Sequence, residues 1–427
     1  MTLSIEFLTL VAMIGSFIVL AALLKLPAAL ATAGSAVVGL LISGNVTNVR
    51  HLVEGTFGYF DVMLIIATAM IFMKALEESG ILQEISKRMV RRFGKRKIPL
   101  TLVSMFLVMI PGMLTGSSTA AALTTGRFVI PVLIGAGFPK TRAAVLVSLG
   151  SILGMIAPPV NVPVMIIGSG IDMPYVGFDI PLLILTIPMA ILISLWAALS
   201  TKGEAVTVNL KEDNSQDAIP GFRVYIPLLV VLALMIASRI FGGGYLDVGI
   251  PFMFVIGTVF ALFCGKPVAI WKTIVEGVGL AMPVMGILAG AGMFVQIMTL
   301  SGVRGLIVTT ALDIPSNWLI IVAALTLPLF GAISAYASSS VMGVPIVLAL
   351  LGNNEIVTAA ALSLMAALGD LIPPIAIVPT LVTQSVDPSP EFRRQTIKES
   401  TVPAIIILLW ALIVLANAMR IGRLIGL

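Results

Sequence analysis

The chain has 427 residues, of which 59% are hydrophobic and only 11% are charged, and its mean hydropathy is +1.13. This composition excludes an ordinary soluble domain, in which about a quarter of the residues are charged. One cysteine and one histidine exclude a disulfide framework and a metal site built from those residues. The net charge of +5 does not indicate a nucleic-acid partner, because the placement of the cations beside apolar segments explains it.

Apolar stretches of about 20 residues recur along the whole chain and predict an all-α polytopic membrane protein in a lipid bilayer. The first stretch follows an N-terminus without a basic leader, which indicates a retained span rather than a cleaved signal. About ten transmembrane helices are predicted, at 5–24, 27–44, 59–77, 143–168, 180–200, 223–241, 247–265, 274–300, 356–384 and 401–424.

Two further apolar regions, 98–137 and 316–352, are each too long for one crossing. Small polar residues interrupt each region near its middle. We predict that both regions form re-entrant hairpins, which enter and leave the membrane on one side. Non-helical backbone is tolerated at membrane depth where protein or a water-filled cavity covers it.

The cations divide unequally between the two sides that these spans define. Eighteen Lys and Arg residues fall on one side and five on the other, while Lys74 and Arg127 lie within segments. Because cytoplasmic loops carry the excess of Lys and Arg, we predict that both termini face outward. A hairpin at 98–137 keeps the basic runs on its two flanks in the cytoplasm, whereas a single crossing would separate them.

The second half of the chain repeats the first. A shift of 222 positions places 54–82 on 276–304 without a gap, and GMLTGSSTA and GMIAPPVNVP recur as GAISAYASSS and GDLIPPIAIVP. Chance similarity between apolar helices is the alternative, but three landmarks in one order favour duplication. Each half then contains five crossings, an odd number, so the second half is inverted. The predicted domains are a first repeat at 1–200, a cytoplasmic linker at 201–222 and a second repeat at 223–427.

Inverted repeats are typical of secondary transporters, which bind substrate and ions at discontinuous helices near the middle of the membrane. Pro158–Pro159 and Pro373–Pro374 interrupt apolar helices at corresponding places in the two halves. The freed carbonyls are candidate cation ligands, and the helix N-terminus beyond each break is a candidate anion site. A simple packing kink is the alternative, and its occurrence in both halves favours a binding role.

Hydroxyl clusters lie at the predicted turns of the two hairpins. Hydroxyl oxygens suit a small hard cation, whereas small residues that permit close helix packing are the alternative explanation. We predict that Ser118, Thr119 and Ser339 also contact substrate. The residues of the two clusters are Ser117, Ser118 and Thr119 in the first half, and Ser338, Ser339 and Ser340 in the second.

Two ionisable residues, Arg127 and Asp370, lie within predicted membrane segments, where such residues are functional hypotheses by default. Arg127 could bind a substrate carboxylate through its two-pronged guanidinium, pair with Asp370, or extend toward the cytoplasm. Asp370 could be a sodium ligand, a proton carrier or a structural partner of Arg127. Asn161, just beyond the first break, is a further candidate for substrate binding.

The order SGIL, GSSTA, IPVLIGAGFPKTRAA and IAPPVNVPVMIIG resembles the large membrane subunit of tripartite ATP-independent periplasmic (TRAP) transporters, the DctM-like group. The resemblance is clearest over 54–170. It implies an elevator mechanism, in which two hairpins and two broken helices slide against the remaining helices. It also implies sodium sites at the hairpin tips and breaks, which correspond here to Ser117, Ser118, Thr119, Pro158, Asn161, Ser338, Ser339, Ser340 and Pro373.

The resemblance further implies import of a small organic anion, such as a C4-dicarboxylate or a sugar acid, across a bacterial or archaeal inner membrane. Sodium is the implied coupling ion, no cofactor is expected, and the partners are a small membrane subunit and a periplasmic substrate-binding protein. Arg127, Asp370 and the GDLIPPIAIVP segment depart from the family pattern. A stand-alone proton- or sodium-coupled symporter is therefore the alternative.

A third class, an intramembrane enzyme or a lipid-handling protein, is disfavoured because the sequence lacks a plausible catalytic set. An ATP-driven pump is disfavoured because the chain has no GxxxxGK[ST] loop. The chain is therefore predicted not to be an enzyme.

Overall fold

A computed structural model describes residues 4–93, 96–200, 221–241, 249–312, 314–350, 352–373 and 375–427. The regular secondary structure within these ranges is helical, as the apolar composition predicts. Most of the predicted linker, at 201–220, and Pro374 of the second proline pair lie outside the described residues.

The first 93 residues contain five helices joined by short turns. Ser4 begins the first helix by accepting a hydrogen bond from the backbone N–H of Phe7, and a π-helical turn, Val19–Leu23, follows that helix. Gly80, with a φ of 75°, turns the chain sharply between the last two helices. The helices are α1 (Ile5–Ile18), α2 (Ala28–Ile42), α3 (Arg50–Thr56), α4 (Phe60–Glu78) and α5 (Ile81–Phe93).

The first predicted hairpin is a set of three helices, α6 (Lys97–Thr115), α7 (Ser118–Leu123) and α8 (Gly126–Gly135). Gly116 ends α6 in the left-handed conformation, with a φ of 62°, and Ser117 caps the start of α7. Helices α6 and α8 pack against each other, so the segment folds back on itself.

The rest of the first half contains a helix that is broken at the proline pair. The chain is helical up to Ile156, loses regular structure through the prolines, and becomes helical again at Val162. The helices are α9 (Lys140–Ile156), α10 (Val162–Gly170) and α11 (Asp179–Leu199).

The second half has the same order of elements after a 3₁₀ turn, Gly221–Tyr225. Its hairpin comprises α16 to α18, with a π-helical turn, Ser339–Gly343, before α18, and a 3₁₀ turn, Leu368–Leu371, follows α19. The helices are α12 (Ile226–Phe241), α13 (Ile250–Cys264), α14 (Ile270–Leu300), α15 (Val303–Leu312), α16 (Ser316–Gly331), α17 (Ala335–Ser338), α18 (Val344–Ala349), α19 (Glu355–Ala367), α20 (Ile377–Gln384), α21 (Pro390–Ala416) and α22 (Ala418–Ile425).

Seven helical segments among the described residues are long and apolar enough to cross a membrane. The broken helices occupy the interior, since every residue from Ala143 to Ile156 and from Val357 to Ala367 is buried. Large apolar side chains on the outer helices are exposed instead, as lipid-facing surfaces require. The seven segments are Ile5–Leu23, Arg50–Glu78, Lys97–Thr115, Asp179–Leu199, Gly221–Ser238, Ile270–Leu300 and Pro390–Ala416.

The predicted last span, 401–424, is wrong in its boundaries. Helix α21 begins eleven positions earlier, where Ser389 accepts a hydrogen bond from the backbone N–H of Phe392, and it ends at Ala416. The remaining residues form the short helix α22, whose two arginines lie on an amphipathic surface. Hydropathy missed the start because the first turns of α21 contain charged residues, although they are helical.

Contacts between α4 and α14 follow the 222-residue shift. A Cβ atom added at Gly55 would lie 2.8 Å from the Cα atom of Met293, and one added at Gly277 would lie 2.7 Å from the Cα atom of Ile71. Shifting the first pair by 222 positions gives the second pair, with the two halves exchanged. Two segments related by a two-fold axis are expected to make contacts in this way.

A second pair of close approaches recurs inside each half. Gly112 of the first hairpin lies against Gly154 of α9, and Gly331 of the second hairpin lies against Gly369 after α19. These four glycines begin the four sequence landmarks of the repeat. In each half, therefore, backbone packs directly on backbone where the hairpin meets the broken helix.

Replacing Gly154 with Ala is expected to destabilise the protein. The added Cβ atom would lie 2.6 Å from the carbonyl oxygen of Met109, a backbone atom that cannot move alone. Overpacking typically costs about 1–3 kcal/mol, which exceeds the gain of up to about 1 kcal/mol in helix propensity. The thermal unfolding midpoint of the purified variant should fall. Gly305→Ala on α15 is the control, because no atom lies within 4 Å of its added Cβ. A midpoint for Gly154→Ala equal to that of the unsubstituted protein would contradict the packing argument.

Candidate functional site

The tip of the first hairpin is a compact group of hydroxyls. The hydroxyl of Ser117 accepts a hydrogen bond from the backbone N–H of Ala120 and lies 2.9 Å from that of Thr119. The backbone N–H of Ser117 donates to the hydroxyl of Thr115, at 3.3 Å. These bonds fix the turn, and the next hydroxyl, on Ser118, points away from it toward the second half.

Ser118 meets Asp370 across the two halves of the chain. The Oγ atom of Ser118 donates to Oδ2 of Asp370 at 2.6 Å, in a buried contact between residues 252 positions apart. Asp370 lies in the 3₁₀ turn that follows α19, only 7% exposed, and the backbone N–H of Ala335 also bonds to it. The sequence-predicted candidates Ser117, Ser118, Thr119 and Asp370 therefore lie together.

Asp370 is the one buried acidic side chain within the described part of the chain. Its partners there are a hydroxyl and a backbone amide, and no ion pair with it is found among the described residues. A carboxylate in apolar surroundings is costly unless it binds a cation or is protonated. Asp370 is therefore a candidate for binding a cation or a proton.

Asn161 spans the first helix break with both ends of its side chain. Its Oδ1 atom accepts from the backbone N–H of Val164, which caps α10, while its Nδ2 atom donates to the carbonyl of Ile156 at the end of α9. The same Nδ2 atom donates to the hydroxyl of Ser363 on α19, at 3.1 Å. Asn161 is fully buried. It therefore holds both sides of the break and ties the first half to the second.

The first break also packs on the first hairpin. The backbone N–H of Val160, just after the proline pair, donates to the carbonyl of Met113 in α6 at 3.1 Å. Pro158 lies buried between the end of α9 and this bond. The first break and the Ser117–Thr119 turn are thus joined through a few residues of α6.

The serine cluster of the second hairpin does not form its turn, contrary to our prediction. Helix α16 ends at Gly331, and Ser334 caps α17 by accepting from the backbone N–H of Ala337. The predicted residues lie in the helix and π-helical turn beyond the tip, because Ser334 begins that helix. Each hydroxyl donates to a carbonyl: Ser338 to Leu327, Ser339 to Ala335 and Ser340 to Ala291.

Two residues at the true tip of the second hairpin were missed. Ser334 corresponds to Ser117, since both cap the short helix after the turn. The hydroxyl of Tyr336 donates to the carbonyl of Gly116 at 2.9 Å, which brings the two tips together. A serine directly before a short helical run was the available signal for Ser334. Nothing local marks the long-range partner of Tyr336.

Arg127 does not pair with Asp370, so that alternative is wrong. Its Nη2 atom lies 3.3 Å from Oε1 of Glu77 on α4, its Nε atom donates to the carbonyl of Leu123, and 54% of its side chain is exposed. Glu77 lies at the end of α4, where Lys74 also forms ion pairs with Glu77 and Glu78. Binding of substrate by Arg127 stays a prediction.

The C-terminal part of α10 is held by two side chains that the sequence did not indicate. Tyr59, before α4, donates its hydroxyl to the carbonyl of Ile166 at 3.1 Å, and Arg304 of α15 donates to the carbonyl of Gly170 at 2.7 Å. The guanidinium of Arg304 also lies 3.6 Å from a carboxylate oxygen of Asp172. The cation stabilises the negative end of α10.

Apolar helices of spanning length, two hairpins and buried breaks with polar side chains define a membrane transporter with discontinuous helices. The model of a protein family described as "Tripartite ATP-independent periplasmic transporter, DctM component" matches residues 14–421. The chain therefore belongs to the DctM family, and the resemblance inferred from the sequence is confirmed.

A solved structure supports the fold independently. The crystal structure of the YdaH transporter from Alcanivorax borkumensis is similar to this chain, with a TM-score of 0.60 and 16% sequence identity. The similarity covers 86% of each chain. No curated protein matches the sequence. At this identity the likeness concerns the fold, which is that of an all-helical membrane transporter.

Proposed function

We propose that the protein imports a small organic anion, of the dicarboxylate or sugar-acid type, by coupling its movement to a sodium gradient. The observation that carries this proposal is the Ser118–Asp370 contact, at 2.6 Å, between the first hairpin tip and the turn before the second break. Carboxylate, hydroxyl and carbonyl oxygens are the ligands that small hard cations prefer. A cation bound at this contact would stabilise the packing of the first hairpin tip against the second half of the chain.

The anion would bind beside this cation. Helix α10 begins at the buried Asn161, whose side chain also bonds to Ser363 on α19 of the second half. A helix N-terminus favours a negative group. The residues we propose for the substrate are Arg127, Ser118, Thr119, Asn161 and Ser339, and for sodium Ser117, Ser118, Pro158, Ser338, Ser339, Ser340, Asp370 and Pro373.

The proposed mechanism is of the elevator type. The hairpins and the broken helices would move as one body against the outer helices, carrying the site between the two membrane faces. The name of the family supports the proposal that the chain is the large permease subunit of a tripartite system. Its partners would be a small membrane subunit and a periplasmic substrate-binding protein. The chain itself would lie in the inner membrane of a bacterium or archaeon.

A stand-alone symporter, driven by protons or by sodium, is the second candidate. The observation that favours it is the same buried carboxyl group: Asp370 has a hydroxyl and an amide as partners, and such a group can bind a proton in place of a cation.

Uptake into proteoliposomes tests both candidates. The purified chain would be reconstituted alone and, in a parallel experiment, with a candidate small membrane subunit and a candidate periplasmic binding protein. Both preparations would be offered a panel of labelled C4-dicarboxylates and sugar acids. We expect accumulation with an inward sodium gradient and none without it. Accumulation driven equally by a pH gradient in the absence of sodium would favour the second candidate. Uptake that persists with neither gradient would contradict coupled transport.

A further inference from the structure

Helix α5 carries cations on the surface that the rest of the protein leaves exposed. Its apolar residues Ile81, Leu82 and Ile85 are buried against neighbouring helices. Glu84 is the sole acidic residue of α5, and it is bound to Arg88 at 2.8 Å. The exposed cations of α5 and the turn after it, which we name the basic surface of α5, are Lys87, Arg91, Arg92 and Arg96.

The position of α5 in the chain places it along the membrane surface. It connects the end of α4 with the start of α6, and both flanking helices are long and apolar enough to span a membrane. The turn at Gly80 redirects the chain between α4 and α5. The sequence rule for cations puts this connection on the cytoplasmic side. The basic surface of α5 therefore lies at the height of the lipid headgroups.

The helix that corresponds to α5 in the second half has no such basic surface. Helix α15 begins 222 positions after α5 and follows the same Ser-Gly turn, where Gly302 has a φ of 77°. Its sequence, VRGLIVTTAL, contains one cation, Arg304, which is bound to α10. The basic surface is thus present on α5 and absent from α15, and packing alone does not explain this difference.

We propose that the phosphate groups of anionic phospholipids in the cytoplasmic leaflet bind the basic surface of α5. Guanidinium groups bind phosphate through two parallel hydrogen bonds, and each Lys or Arg near an anionic leaflet adds to the attraction. Ile98, 40% exposed, lies beside Arg96 and suits the boundary between headgroups and acyl chains. This site rests on the proposed orientation of the chain, and it is independent of the coupling ion.

The bound lipids would hold helix α5, from which the chain enters the first hairpin. Helix α5 contacts α6 and α8 of that hairpin and the 3₁₀ turn that opens the second half. Arg88 donates to the carbonyl of Gly221 in that turn. Helix α5, held by the headgroups, would stay at the membrane surface and act as the hinge about which the first hairpin moves.

Native mass spectrometry of retained lipids tests the proposal. The full chain would be reconstituted in equal amounts of phosphatidylglycerol and phosphatidylcholine, extracted, and analysed for the ratio of the two lipids that remain bound. We expect enrichment of phosphatidylglycerol in the unsubstituted protein. Each cation at the surface contributes a factor of about five, so Arg91→Gln with Arg92→Gln should reduce the enrichment roughly 25-fold.

The matched control is Arg420→Gln with Arg423→Gln on α22, two exposed arginines of an amphipathic helix on the predicted outer side. This variant should keep the enrichment. An unchanged lipid ratio in the Arg91/Arg92 variant would overturn the proposal. Loss of the enrichment in millimolar inorganic phosphate would also overturn it, because the surface would then prefer a soluble anion. The readout needs neither substrate nor gradient, so its failure is distinct from failure of coupled transport.

Discussion

Replacing Asp370 with Asn is expected to weaken binding of the coupling cation by roughly 10- to 150-fold without lowering stability. Asn keeps the shape and can still bond to Ser118, but it removes the negative charge that faces the 2.6 Å contact. Hydrogen bonds to a charged group contribute about 1.5–3 kcal/mol, which corresponds to this range. The quantity to measure is the sodium concentration that gives half-maximal uptake in proteoliposomes.

Stability separates a binding role for Asp370 from a structural one. Because the carboxylate is buried without a cationic partner among the described residues, its removal relieves an unfavourable burial of charge. The thermal unfolding midpoint of Asp370→Asn in sodium-free buffer should therefore not fall. A lower midpoint together with normal sodium dependence would show that Asp370 only holds the fold.

Asp387→Asn is the matched control. Asp387 also precedes a helix of the second half, but it lies outside the spans, where hydrogen bonds from Ser389 hold the pKa of its carboxyl below the usual value. We expect no change in sodium dependence for this variant. A double-mutant cycle with Ser118→Ala then measures the coupling energy between Ser118 and Asp370. Because the two side chains are in contact, the effects of the two substitutions should not be additive.

The second large effect is expected for Asn161→Ala, which should destabilise the protein by about 2–4 kcal/mol. The substitution removes the cap of α10, worth about 1 kcal/mol. It also removes the hydrogen bond to the buried carbonyl of Ile156, which costs about 1–3 kcal/mol if that group is left unsatisfied. The hydroxyl of Ser363 loses its bond to Asn161 but keeps its bond to the carbonyl of Ala360. The unfolding midpoint should fall, and uptake should fall with it, since α10 loses its fixed start.

Asn354→Ala provides the comparison for the capping effect alone. Asn354 caps α19 by accepting from the backbone N–H of Val357 at 3.0 Å, at the start of an intact helix rather than a break. We expect a loss of about 1 kcal/mol and unchanged sodium dependence. Equal losses for the two variants would mean that Asn161 acts as a cap and nothing more.

Sequence signals worked where a few neighbouring residues decide the structure. The predicted hairpin 98–137 corresponds to helices from 97 to 135, because Gly116 and Ser117 form a recognisable stop and cap. Sequence signals failed at the second hairpin. Ser338–Ser340 was predicted to form the turn, but the helix after the turn already begins at Ser334. A run of serines is ambiguous, since serine caps helices and also bonds to the carbonyl one turn earlier within them.

The class of protein was determined by the sequence alone. Hydropathy and the order of landmarks at 112, 154, 331 and 369 are properties of the chain that survive without any knowledge of packing. They specified an all-helical membrane transporter, and the resemblance carried by GSSTA and IAPPVNVP specified its family, which the match over 14–421 confirms.

Only the tertiary structure decided which polar side chains meet. Ser118 reaches Asp370 across 252 positions, Asn161 reaches Ser363 across 202, and Arg127 turns to Glu77 instead of Asp370. Such partners depend on how the two halves pack, and the repeat does not reveal them because Met155 stands in the first half where Asp370 stands in the second. The buried carboxylate is therefore a feature of one half that acquires its partner only when both halves are assembled.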